Sequence, residues 1–244
     1  MTLKELNIIN FKNIAEATLT FTSGFNCFVG NNGVGKTNVL DAIYHLSMCK
    51  SYFNLPDLQN IRHEEPFFVV QGKYERGGEE LTVYCGVKRG QKKVFKKNQK
   101  AYDKLSEHIG LIPLVMISPE DFILIDGGSE ERRKLVDGII SQCDRVYLHR
   151  LIRYNKALTQ RNMLLKSAAG KFLDPEMLEV WNEQLAEHGE AIRQKRIAFL
   201  KEFRSVFQTY YERLSLGREE VCLEYKPSVK EGNFLTALKQ AADR

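Results

Sequence analysis

Apolar and polar residues alternate over residues 3–10 and 15–21, and that period of two predicts two strands joined by the turn Asn10-Phe11-Lys12-Asn13. Phe25-Asn26-Cys27-Phe28-Val29 is a short apolar, aromatic-rich run bounded by Gly24 and Gly30, the pattern of a buried strand. From Asn38 the period changes. Val39, Leu40, Ile43, Tyr44 and Leu46 recur at three and four, and no Gly or Pro interrupts them before Lys50, so a helix is predicted. Residues 51–65 show no clear period beyond a helical turn near 57–60. Residues 67–74, 80–87 and 92–95 then read as strands joined by Gly77-Gly78 and Arg89-Gly90 turns, an antiparallel meander, and residues 111–117 as another buried strand ending at Ser118-Pro119.

Beyond residue 128 the spacing is helical. Ser129 is placed to cap a helix opened by Glu130 and Glu131, acids that the helix dipole favours there. Over 145–166, Leu148, Leu151, Asn155, Leu158, Asn162 and Leu165 step by three and four, a heptad-like seam whose asparagines would be buried and fix register. Residues 167–173 break it. Asp174-Pro175 is a strong helix start, and Leu178, Trp181, Leu185, His188, Ile192, Phe199, Phe203, Val206, Tyr210 and Leu214 carry the next seam onward. It lasts about forty residues, roughly 55–60 Å. His188 reads as part of this seam, since Ala191 and Ile192, not metal ligands, follow at three and four. The two stretches together predict an antiparallel helical arm. Val221, Leu223 and Tyr225 alternate with polar neighbours as a returning strand stopped by Pro227, and a last helix begins near Asn233.

Between the run 25–29 and the first helix lies Gly30-Asn31-Asn32-Gly33-Val34-Gly35-Lys36-Thr37, a full match to the phosphate-binding pattern G-x-x-x-x-G-K-[ST], flanked as it must be by strand and helix. Its glycines let the backbone curl until successive N–H groups face inward as an anion cradle. Lys36 can reach β- and γ-phosphates, Thr37 offers a hydroxyl to Mg²⁺, and the helix start aims its positive dipole end at the same phosphates. A nucleoside triphosphate is the expected ligand.

Composition narrows the class. With 244 residues and 43% hydrophobic content the chain can bury a sizeable core. Five scattered cysteines without a C-x-x-C pair suggest neither a disulfide framework nor a zinc site, and fit a reducing cytoplasm. No stretch reaches the length of a signal-peptide core or a membrane span, so no membrane association is expected. The net charge of +5 is uneven, because residues 88–104 hold eight cations (Lys88, Arg89, Lys92, Lys93, Lys96, Lys97, Lys100, Lys104) against Asp103. The rest of the chain is slightly acidic. Such a concentration suits a contact surface for phosphate backbones, and equally a solvated edge hairpin guarded by lysines.

These residues resemble the RecF family, ATPases related to SMC and ABC-type heads. The resemblance rests on Asn10-Phe11-Lys12-Asn13, on the phosphate loop continued through Asn38-Val39-Leu40-Asp41-Ala42-Ile43, and on Ser118-Pro119-Glu120-Asp121-Phe122 leading to Gly127-Gly128-Ser129-Glu130-Glu131-Arg132-Arg133. It continues through Tyr154-Asn155-Lys156-Ala157-Leu158, Gln160-Arg161-Asn162 and Trp181-Asn182-Glu183-Gln184-Leu185. It implies an α/β ATPase head lobe, a mixed sheet with an antiparallel layer, plus a helical arm. The expected divisions are a first lobe at 1–128, the arm at 129–216, and a return strand with the start of a second lobe at 217–244. Expected ligands are ATP and Mg²⁺, with Lys12 and Asn13 as further candidates for base or phosphates. Expected partners are single-stranded and gapped duplex DNA, mediator proteins of RecR and RecO type, and a second copy of the full-length protein in an ATP-dependent homodimer. The implied role is recombinational repair and replication-fork maintenance, including help in loading the recombinase.

The family's Ser-x-Gly-Gln signature and its apolar strand ending in acids are missing, so the chain reads as an N-terminal portion without hydrolytic machinery of its own. Phe122-Ile123-Leu124-Ile125-Asp126 fits the loose apolar-plus-Asp pattern, but Pro119 speaks against a central strand and Gly127 stands where a carboxylate is needed. Two other classes remain open: a small-molecule phosphotransferase on the same loop, and an SMC-like structural linker in which nucleotide is only a switch.

Overall fold

A computed structural model describes residues 1–53, 55–167, 175–229, 232 and 234–242, and the chain divides into two units, Met1–Phe122 and Ile123–Arg244. In the first unit, β1 (Thr2–Phe11) and β2 (Ile14–Thr20) form a hairpin and are followed by helix α1 (Lys36–Met48). The meander β3 (Phe67–Arg76), β4 (Glu79–Lys88), β5 (Val94–Lys97) and β6 (Lys100–Ala101) completes a sheet of order β2-β1-β3-β4-β5-β6. Every pairing among the described strands is antiparallel. The alternation read from the sequence decides which face is covered: Leu6, Ile8, Phe68, Val70, Val83, Cys85 and Phe95 all point to the side where α1 lays Val39, Ala42 and Leu46. Each such apolar side chain contributes roughly 1.5–3 kcal/mol on burial.

Three expected strands are absent as ladders. Residues 25–29, 111–117 and 221–225 join no sheet among the described residues. In the first two, side chains expected to be buried stand in solvent: Phe25 is 102% exposed, Val29 93%, Val115 76% and Ile117 82%. An apolar run records a demand for burial, not the strand that would meet it. Residues 221–225 keep their alternation, half-buried against exposed, and are held by side chains rather than a ladder, with Arg204 Nε donating to the Leu223 carbonyl at 2.6 Å and Arg196 hydrogen-bonded to Tyr225. Smaller shifts are a first helix that begins at Lys36 rather than Asn38, and a β5 two residues later than expected.

The second unit is helical: a single turn α2 (Ile123–Asp126), then α3 (Ser129–Cys143), α4 (Arg145–Ser167), α5 (Pro175–Ser215) and α6 (Phe234–Ala242). Gly128, not Ser129, occupies the cap position of α3, and the Ser129 hydroxyl instead accepts a hydrogen bond from Arg133 Nη1 at 2.7 Å. Asp144 caps α4, its Oδ1 accepting the Tyr147 N–H at 2.9 Å. Pro175 opens α5 as its fixed φ favours, while Asp174, residues 168–173 and Asn233 lie outside the described residues.

The α4 seam is rotated from the expected one. Asn155 and Asn162 are exposed, and the inward positions are Tyr147, Tyr154, Ala157 and Arg161, spaced seven, three and four. The apolar count misled because the inward face is lined by two tyrosines and an arginine. Register is held instead by buried Arg161, whose Nε donates to Asn182 Oδ1 at 2.8 Å, and by Arg196, paired through two hydrogen bonds with Asp137. Helix α6 seats Phe234 against Gly189 of α5, where a Cβ would fall 2.6 Å from the ring.

One polar group lies inside the first core. His45 of α1 is fully buried against Phe11 and Phe68 in edge-on contacts, with neither ring nitrogen hydrogen-bonded. Burial, aided by the Lys93 charge, lowers its pKa to about 4, so the ring is neutral and the carboxylate of Asp57 pairs with Lys93 at 2.7 Å instead. An unfolded histidine titrates near 6.5, so the stability from keeping His45 neutral is complete above about pH 6.5 and is lost as pH falls through about 4. Urea unfolding followed from pH 7 to 4 is expected to lose about 3 kcal/mol from this residue. His45→Leu should flatten that dependence, and an unchanged slope in the variant would refute the assignment.

Candidate nucleotide-binding site

The loop Gly30–Thr37 leads from residues 25–29 into α1, and its backbone is set by three glycines at φ 156° (Gly30), 85° (Gly33) and 104° (Gly35). Gly35 is the tightest position. It caps α1 in the left-handed region, and a Cβ there would stand 2.8 Å from Asn13 Oδ1 and 3.2 Å from Ile14 Cγ1, so no other residue fits without moving the brace described below. The first helical hydrogen bond runs from Val39 N to the Gly35 carbonyl at 3.0 Å, which leaves the N–H groups before it without an intrahelical acceptor. No acid stands in the first turn of α1 to compete with a bound anion. Lys36 Nζ donates to the Gly30 and Asn31 carbonyls, both at 2.7 Å, which holds the ammonium beside the loop with one N–H left over. Asn31, Asn32, Val34 and Thr37 are exposed around it.

Lys12 and Asn13, in the β1–β2 turn, are brought to the loop and its helix by different routes. Asn13 Nδ2 donates to the Gly33 carbonyl at 2.6 Å, and its Oδ1 accepts from Asn38 Nδ2 at 2.7 Å, so one side chain ties the loop's middle to the helix that follows. Lys12 adopts φ 53°, a region costly for a residue with a Cβ, and sends its ammonium 2.7 Å from Asp41 on the buried face of α1. Asp41 is fully buried and further accepts from Ser51 Oγ at 2.9 Å and Tyr52 N at 2.7 Å. The Tyr52 hydroxyl, its pKa raised by burial and by the neighbouring carboxylate, donates to Asp121 Oδ1 at 2.5 Å. Asp121 Oδ2 in turn accepts the Ser118 N–H at 2.7 Å. A continuous polar chain thus runs from the first turn through α1 to the Ser118–Phe122 segment.

Sequence reading assigned no role to Asn38, Asp41, Ser51 or Tyr52. A usable signal was present: Asp41 sits between Val39, Ala42 and Leu46 on the apolar face of α1, where a carboxylate requires a partner. Beside the loop, β2, residues 27–29 and the start of α1 enclose a cleft of about 530 Å³ lined by Ile14, Ala17, Phe28, Val34 and Lys36 among others. Its volume falls in the range of small-molecule sites. The segment after Ser118 is helical, a 3-10 turn at Pro119–Phe122 and then α2, so Asp126 does not end a strand.

The basic hairpin separates into free and engaged cations. Lys88, Arg89, Lys92 and Lys97 are exposed, although Arg89 Nε donates to the Glu65 carbonyl at 3.2 Å. Lys96 lies 5.4 Å from the centre of the Tyr84 ring on the sheet's uncovered face. Lys93 is different in kind: its side chain is 14% exposed, paired with Asp57 and donating to the Cys49 carbonyl at 2.7 Å, so it serves packing.

A profile of the AAA ATPase domain matches residues 1–228. The chain is 52% identical to the DNA replication and repair protein RecF of Phocaeicola vulgatus, over 100% of this chain and 66% of that protein. It is 49% identical to the protein of the same name from Flavobacterium johnsoniae, over 98% of this chain and 67% of that one. A solved structure of the recombination mediator protein RecF-ATPrS in the RecFOR pathway matches with TM-score 0.87 and 31% identity, over 98% of this chain and 65% of that one. The chain spans 66% of the length of the Phocaeicola relative. With both the phosphate loop and the helical unit inside the matched span, the chain belongs to the RecF family and carries an AAA ATPase domain with a phosphate-binding loop.

Proposed function

We propose that the loop Gly30–Thr37 binds ATP with Mg²⁺, and that the protein carrying this chain uses the nucleotide to control DNA binding in recombinational repair. The observation that carries the reading is the brace: Asn13 holds Gly33 and Asn38 at once, so the cradle is set before an anion arrives. The backbone N–H groups from Asn32 to Lys36 surround the β-phosphate, and Lys36 exchanges its loop carbonyls for phosphate oxygens. Thr37, exposed at the open start of α1 with no acid nearby, would hold Mg²⁺, which supplies charge neutralisation on the β- and γ-phosphates. Lys12 contributes from behind, paired with Asp41 and holding the turn in place. The exposed apolar side chains of Phe25, Val29, Val115 and Ile117 suit strands from the second half of a head, the half that would also bring the water-positioning acid.

In this reading the intact protein pairs with a second copy across ATP, binds single-stranded and gapped duplex DNA in the cytoplasm, and acts with mediators of RecR and RecO type. Lys88, Arg89, Lys92, Lys96 and Lys97 displace counterions from DNA phosphates, while Lys93 maintains the hairpin.

Three outcomes are expected. Lys36→Ala removes the loop's flexible cation and should weaken ATP binding at least tenfold to a hundredfold; undiminished affinity in equilibrium titration counts against the loop. Asn13→Ala leaves every phosphate contact in place but frees the cradle, so affinity should fall roughly tenfold with thermal stability little changed. Changing Lys92, Lys96 and Lys97 together to Gln should weaken DNA binding on all sequences and flatten its salt dependence by roughly 0.7–0.9 log units per lost phosphate contact, with ATP binding intact. An unaltered slope would return the hairpin to a solvated edge.

A further inference from the structure

Helix α4 contains Arg145, Arg150, Arg153, Lys156, Arg161 and Lys166 and not one Asp or Glu. Exposed helices ordinarily mix signs, because like charges a turn apart repel. Arg161 is used inside the unit, but Arg145, His149, Arg153 and Lys156, spaced four, four and three, share one exposed stripe along about 16 Å of helix. Among the described residues none of the four forms an ion pair.

At the end of this stripe α4 and α5 enclose a cavity of about 440 Å³ lined by Arg153, Lys156, Trp181, Gln184, Glu187 and His188. Its floor holds an unmet demand. His188 is only 5% exposed, and its Nδ1 has no hydrogen-bond partner, a rare condition for a buried polar atom. Glu187 Oε1, 3.8 Å from that nitrogen, is too distant to bond, and its side chain stands 70% exposed at the rim. Trp181, the chain's only tryptophan, is half-buried in the wall. Two unpaired cations, an indole face and an unpartnered imidazole nitrogen therefore converge, on residues to which the ATPase assigns no task.

We propose that this cavity binds one nucleotide unit of single-stranded nucleic acid, its phosphate held by Arg153 and Lys156 and its base stacked on Trp181. The phosphate or the base edge satisfies His188 Nδ1, and the Gln184 amide is placed to bond the base edge. A polynucleotide fits better than an acidic peptide because the stripe continues past the cavity, through the polar His149 to Arg145, with no acid on the helix to interrupt it. That matches a polymer charged at every unit, and the π-face accepts any base. The inference rests on the DNA-binding reading above but assigns it a second surface, on the helical unit and independent of the lysine hairpin.

The test uses the 244-residue chain, in which all tryptophan fluorescence comes from Trp181. Titration with oligo-dT is expected to quench it saturably, with an affinity that falls as salt rises. Arg153→Gln with Lys156→Gln should weaken oligonucleotide binding by about tenfold or more and abolish the quench, with unchanged circular dichroism. Trp181→Phe should retain part of the affinity through stacking. The hairpin triple variant should keep the quench, so loss of one surface is distinguishable from loss of the other. Binding without quenching, unaffected by the Arg153 and Lys156 changes, would overturn the cavity while leaving the hairpin reading standing. Absence of any binding would overturn both. Quenching by inorganic phosphate alone would make the site one for a free anion, and equal quenching by poly-glutamate would make it one for a protein.

Discussion

Asn13 holds the phosphate loop from two sides, donating to the Gly33 carbonyl and accepting from Asn38, and the rest of the first unit serves to put that one amide in place. A glycine-rich loop has the largest conformational freedom of any backbone, so a cradle made of it is useful only when something else removes that freedom. Here the constraint comes from a turn on the opposite strand pair. The turn is itself strained at Lys12, and the strain is offset where the Lys12 ammonium meets the buried Asp41 carboxylate. Gly35 completes the fit by having no Cβ where the Asn13 amide must lie.

The sheet explains why the brace holds. β1 is an interior strand, paired with β2 on one side and β3 on the other, so the Asn10–Asn13 turn is anchored by two ladders and by Lys12 N donating to the Asn60 carbonyl. Packing of α1 on β1, β3 and β4 fixes the helix start against the same strands. Asp41 then connects the loop's helix to Ser51 and Tyr52, and Tyr52 to Asp121, so the position of the Ser118–Phe122 segment depends on groups that also set the cradle. Both units use the same economy: a few buried polar pairs, Lys12–Asp41 in one and Arg161–Asn182 or Arg196–Asp137 in the other, select a register that apolar packing alone would leave open.

The elements were legible where local pattern suffices. The β1–β2 hairpin, the β3–β4 meander, α1, α4 and α5 lie within a few residues of their expected positions, because period and turn chemistry are properties of neighbouring residues. The phosphate loop was legible for the same reason, since its chemistry is contiguous. What failed were the statements about burial against a partner distant in sequence. Residues 25–29 and 111–117 have the composition of buried strands without a described ladder, and Asn155 and Asn162 have heptad spacing without burial. A period states that a face exists but not which of two nearby faces a neighbour will cover. Two tyrosines and Ala157 shifted that choice on α4 by one position.

The sequence by itself determined the loop, its lysine and threonine, the length of the helices and the uneven distribution of charge, because each of these is set by residues adjacent along the chain. Only the tertiary structure decided which polar groups are spent and which are free. It committed Lys93 to Asp57 and Lys12 to Asp41, and left Arg153 and Lys156 facing an unpartnered His188. Ionic and hydrogen-bonding partners here lie tens of residues apart, and their pairing follows from burial, where an unmatched charge is costly, rather than from any pattern that one segment carries.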